Sequence, residues 1–103
     1  MAGKRPRSER RSLARETQKE LERRRKLFQS LPGGSAEHPL QVASASVIET
    51  RAQSIPCALC QAACVVRSHT ATALGQRRLR VVTLGCRGCG EPQVAYFEIL
   101  QAN

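Results

Sequence analysis

Two Cys-x-x-Cys pairs, Cys57-Ala58-Leu59-Cys60 and Cys86-Arg87-Gly88-Cys89, constrain this chain more than anything else in it. Four thiols at this spacing match the needs of one tetrahedral metal ion, each pair wrapping one side of it. Gly90 follows the second pair and permits the positive φ that a tight turn under a metal requires. Pro56 precedes the first pair and stiffens the approach to its turn.

The size of the core argues for such a staple. The chain has 103 residues, of which only Phe28, Tyr96 and Phe97 are aromatic. The cysteine-bearing segment, residues 55–101, falls below the roughly 70–80 residues at which an apolar core usually suffices alone. A metal or disulfides would then hold it. The N-terminus is basic with no apolar stretch behind it, so no secretory signal is expected. The uncharged run from Ala52 to Val66 is too short to span a bilayer. The expectation is a cytoplasmic chain with reduced thiols, hence metal ligation by Cys57, Cys60, Cys86 and Cys89. Five cysteines also fit a disulfide framework badly, since one is left over. A closed four-thiolate shell leaves no open coordination position, which predicts one structural Zn2+ and no Lewis-acid chemistry. Iron is the rival metal, because paired Cys-x-x-Cys turns also hold iron.

Between and after the pairs the pattern is that of strands. Residues 62–70 read as a strand, Leu74-Gly75-Gln76 as a turn, residues 77–84 as a second strand and residues 93–100 as a third. Metal turn, hairpin, metal turn, strand is an order that resembles the zinc-ribbon superfamily of zinc fingers. The whole chain looks like a small bacterial zinc-ribbon protein carrying a basic N-terminal helix. The resemblance implies a three-stranded antiparallel sheet over one zinc. Cys86-Arg87-Gly88-Cys89-Gly90 fits its pattern fully, whereas the first pair is followed by Gln61 where glycine is usual.

The N-terminal third has a different character. Residues 1–26 hold eleven Lys/Arg against four Glu, so +7 of the net +9 lies there. Residues 1–32 are expected to form a basic arm, disordered over 1–7 and helical from about 8 to 31, with Ser8 or Ser12 as the cap. Glu20–Arg24 and Glu22–Lys26 have favourable i,i+4 spacing. Pro32-Gly33-Gly34 would end the helix. Leu13, Leu21 and Phe28 make a narrow apolar stripe, which offers a docking face for a protein partner. Residues 33–54 read as a flexible linker with one or two short extended segments, a helix being the competing reading.

Charge of this kind points to a polyanion. The candidate DNA- or RNA-binding residues are Arg10, Arg11, Arg15, Lys19, Arg23, Arg24, Arg25 and Lys26, joined by Arg77, Arg78 and Arg80 on the second strand. The chain lacks the interleaved aromatics with which single-strand readers stack bases. Cys64 reads as a small buried thiol, with a thiol or metal sensor as its alternative, and His69 as a sheet-surface residue. No nucleophile–base pair, carboxylate pair or phosphate-binding loop is present. The sequence thus predicts a non-enzyme without a small-molecule substrate or membrane contact. It is expected to be a nucleic-acid-associated module or, alternatively, a protein-interaction adaptor.

Overall fold

The computed structural model describes residues 7–100. The expectation of disorder over residues 1–7 therefore lies almost wholly outside it. Helix α1 spans Arg7–Ser30, a segment of good helix formers without Gly or Pro. Its Glu20 pairs with Arg24 at 3.2 Å, as the spacing predicts, and with Arg23 at 2.9 Å. The remaining elements are β1 (Leu40–Val42), a 3-10 turn (Ala45–Val47), α2 (Ile48–Gln53), β2 (Cys64–Leu74), β3 (Arg77–Cys86) and β4 (Pro92–Ile99).

Strands β2, β3 and β4 form the expected antiparallel meander, turning between β2 and β3 at Gly75-Gln76. The sheet is nevertheless four-stranded and mixed, in the order β1-β4-β3-β2, not three-stranded and antiparallel. β1 pairs in parallel with β4 through Leu40↔Phe97, Gln41↔Glu98 and Val42↔Ile99. The reason is the outer edge of β4, which the meander alone leaves bare. An uncovered edge presents unpaired backbone groups, and the extended Leu-Gln-Val segment satisfies them.

The segment between helix and metal pairs is accordingly not a loose linker. Gly33 and Gly34 are both buried. The Gly33 carbonyl accepts from Tyr96 N at 2.8 Å, and its amide donates to the His38 carbonyl at 2.6 Å. Gly33 has φ +86, and a Cβ there would meet Leu40 at 2.8 Å, while one at Gly34 would collide with the Phe28 carbonyl. The glycines therefore serve close packing between α1 and the edge of β4, not flexibility. Farther on, Ala45–Gln53 is helical where an extended segment was the first expectation. Ile48 and Ala52, four residues apart, share one helix face and are completely buried, and that burial outweighs the Ser-rich composition.

One sheet face carries the core. Cys86, Leu84 and Val82 alternate along β3, with Ala95 and Phe97 beside them on β4 and Cys64 on β2. Ile48, Ala52 and Val42 close over this face, and Cys57 and Leu59 complete the cluster. Phe97 is its largest fully buried side chain. Cys57 and Cys86, one from each pair, belong to this cluster, so the site is continuous with the core.

Candidate metal centre

Each cysteine pair folds into a turn, and the two turns have the same construction. In the first, Gln61 N donates to the Cys57 carbonyl at 2.9 Å and Cys57 N to the Ala62 carbonyl at 2.9 Å. In the second, Gly90 N donates to Cys86 O at 3.2 Å and Cys86 N to Glu91 O at 3.1 Å. Leu59 N reaches Cys57 Sγ at 3.4 Å, and Gly88 N and Cys89 N reach Cys86 Sγ at 3.2 and 3.3 Å. These N–H···S bonds would disperse the negative charge of the thiolates if a metal were bound. The equivalence extends to backbone shape. Gly90 has φ +78, and Gln61, in the matching position, has φ +66. The first turn thus keeps the left-handed conformation without the glycine.

The four sulfurs lie within 4.8 Å of one another. The close approaches cross between turns: Cys57 to Cys89 at 3.6 Å and Cys60 to Cys86 at 3.3 Å. A tetrahedral ion with metal–sulfur bonds of about 2.3 Å separates its sulfurs by about 3.8 Å. The quartet is therefore positioned to bind a metal ion. Cys57 and Cys86 are buried, while Cys60 and Cys89 reach the surface. Backbone N–H donation, from Cys89 first and also from Gly88, lowers Cys86 to about 6, with burial opposing it. At Cys89 the Glu91 N–H also favours the thiolate. Burial and the facing thiols of Cys57, Cys60 and Cys86 prevail and push it up to about 12.

Cys64 is not a member of the quartet. It is buried on β2 opposite Cys86, and burial, followed by the neighbouring thiolates, raises its pKa. His69 also stands apart, 3.4 Å from Arg80 and 3.9 Å from Glu49.

A supporting residue escaped sequence reasoning. Gln93, only 6% exposed, accepts from Ala58 N at 2.8 Å and donates to Pro56 O at 3.2 Å. Its side chain ties β4 to the first metal turn. A polar residue at an inward position of an alternating strand was the available signal. Arg87 N, donating to Ala63 O at 2.9 Å, links the second turn to the chain leaving the first.

Helix α1 is anchored on both turns. Arg24 donates to the Leu59 carbonyl of the first turn. Arg25 forms a two-point ion pair with Glu91, just beyond the second, at 2.7 and 3.2 Å. Leu21 packs against the core cluster, and half-buried Phe28 lines the grooves on either side of the helix. The Leu21/Phe28 stripe expected to meet a partner is thus turned towards the protein's own core and cysteine turns. The Leu13 and Arg10 side chains lie outside what the structure describes.

The other basic residues divide by direction. Arg11, Arg15, Lys19, Arg23 and Lys26 are all exposed. At about 100° per residue they fall within an arc of roughly 120°, on the side of α1 away from Leu21 and Phe28. On β3 the three arginines do not make one patch. Arg77 is held by Glu98 at 2.8 Å, Arg78 is exposed, and Arg80 is half-buried beside His69.

No protein-family model, curated protein or solved structure matches the chain. No described helix is long and apolar enough to cross a membrane.

Proposed function

We propose that this protein is a non-catalytic binding module of zinc-ribbon type, which holds a basic helix against nucleic acid on a zinc-stapled platform. The observation that carries this reading is the division of α1. Leu21, Arg24, Arg25 and Phe28 fasten it to the ribbon, and Arg11, Arg15, Lys19, Arg23 and Lys26 remain exposed on another side. Exposed cations on one face of a fixed element favour a polyanion. Zinc is the metal of choice for four thiolates in a closed tetrahedral shell, and that shell offers no position to a substrate. The work assigned to the ion is structural: it joins the two turns that α1 rests on.

A native pulldown with and without nuclease, with metal analysis of the purified protein, tests the reading. We expect one zinc per chain, nuclease-sensitive association with nucleic acid, and release between low and moderate salt. Association that survives both nuclease and salt would overturn it.

That second outcome would favour the adaptor reading, on a surface other than the Leu21 stripe. Leu27 and Leu31 are 62% and 48% exposed, and they border an apolar groove of about 510 Å³ with Leu40, Ile55 and Pro56. Leu27→Glu would then abolish capture of the partner.

A further inference from the structure

Residues 14–19 of α1 are all exposed. Six consecutive helical residues point in every direction around the axis, so this part of the helix stands clear of the ribbon. The clamp begins at Leu21, where the helix meets the core, and continues through Arg24 and Arg25. The described helix from Arg7 to Glu20 amounts to about 21 Å of rod at 1.5 Å per residue.

The projecting rod and the basic stripe together define a ligand shape. Arg11, Arg15, Lys19 and Arg23 follow at intervals of four residues, about 6 Å along the axis, and Lys26 continues the same side. One carboxylate, Glu22, lies within the stripe, which leaves four net positive charges from five cations. Arg23 is shared with Glu20. Among the described residues, no ion pair is formed by Arg11, Arg15, Lys19 or Lys26. Such a face complements a continuous line of phosphates.

Resting on the nucleic-acid reading above, we infer that the ligand is double-stranded DNA, with the projecting part of α1 laid in the major groove and its stripe on the phosphates of one wall. Three observations separate this ligand from its relatives. A single strand is gripped by aromatic side chains that stack on its bases, and none lies on the stripe: Phe28 is turned towards the ribbon and Phe97 is in the core. Duplex RNA has a deep, narrow major groove closed to such an element. B-form DNA has a groove about 12 Å wide, and an α-helix with side chains is about 10–12 Å across. A helix lying flat on its own protein could not enter it, but a helix exposed all round can. Arginine and lysine directed at phosphates carry no base sequence information, so the binding is sequence-independent.

The test uses the full-length, zinc-loaded protein and fluorescence anisotropy with a 20-base-pair DNA duplex, its single strand, an RNA duplex of the same sequence, and poly-glutamate. DNA duplex should bind at least several-fold tighter than the other three. The salt dependence should have a log–log slope of about −4, from four to five neutralised phosphates. Arg15→Gln/Lys19→Gln should reduce that slope by about 2 and weaken binding to every duplex sequence alike, with zinc content and circular dichroism unchanged. Arg15→Lys alone, which keeps the charge, should leave the slope close to that of the wild type. Equal or tighter binding to single strand, RNA duplex or poly-glutamate would overturn the duplex-DNA inference and leave a general polyanion module standing. Loss of binding through Arg78→Gln/Arg80→Gln, with the stripe variant unaffected, would overturn the placement on α1. No binding to any nucleic acid would overturn the parent reading as well.

Discussion

Arg25 reaches from helix α1 to Glu91 at 2.7 Å, and through that contact the basic helix is joined to the second metal turn. Both side chains are partly screened by protein, at 39% and 23% exposure. The guanidinium holds the Glu91 carboxyl below its usual range. A carboxyl with a lowered folded-state pKa stabilises the fold above its unfolded value, near 4.3. That contribution disappears as pH falls through the folded value. Glu91→Gln should therefore loosen α1 at pH 7, seen as faster amide exchange over residues 21–30 with metal content retained. The wild-type and variant curves should converge below about pH 4. Equal exchange at pH 7 would count against the clamp.

Gln61 occupies the left-handed backbone position that Gly90 occupies in the other turn. A non-glycine residue there costs about 1–2 kcal/mol, partly offset by the extra entropy glycine loses on folding. Gln61→Gly should raise stability by about 0.5–1 kcal/mol in zinc-saturated denaturant titrations. Gly90→Ala should lower it by about 1 kcal/mol, although a Cβ at Gly90 meets nothing within 4 Å. The open space makes the pair a clean measure of backbone strain.

Removing the Gln93 amide leaves Ala58 N–H and Pro56 C=O without their partner. Gln93→Leu should cost about 1–3 kcal/mol for these unsatisfied groups. It should also weaken metal affinity on the order of 10–100-fold, as loss of a supporting hydrogen bond does. Competition with a chromophoric chelator reads the second effect directly. Unchanged affinity would confine Gln93 to a packing role.

Metal removal should unfold the cysteine-bearing domain, since binding energy and folding energy are linked in a domain of this size. Thiolates on a metal have pKa values far below the free-thiol range, so their contribution is present above that range and is lost as acid protonates them. Zinc release should accordingly follow acidification, with protons displacing the ion. Ser at Cys57, Cys60, Cys86 or Cys89 should abolish stoichiometric binding, whereas Cys64→Ala should keep one metal per chain. A metal-free Cys64→Ala protein would place Cys64 in the coordination shell.

The cysteine spacing was sufficient to find the quartet and the hairpin between its halves, because ligand geometry and strand alternation are both local properties. What sequence reasoning missed depended on packing between distant segments. Leu40–Val42 is one of the short extended segments the composition suggested, but its parallel pairing with the edge of β4 is not visible in Leu40-Gln41-Val42 itself. The short helix at Ile48–Gln53 defied its serine-rich surroundings because Ile48 and Ala52 could be buried together. The arginines of α1 looked alike in sequence. Only the docking of Leu21 and Phe28 decides that Arg24 and Arg25 reach the cysteine turns while Arg15 and Lys19 do not.

The fastening of α1 also has a mechanical side. The helix is a cantilever, clamped from Leu21 onward, with residues 14–19 exposed all round and about 21 Å of described helix on the N-terminal side of the clamp. A tilt of about 10° at the clamp would sweep the free end by about 4 Å over that length, more than half a helical turn. Stiffness in the two metal turns therefore sets aim at a distance: where the arginines of the tip are held is decided at the sulfurs.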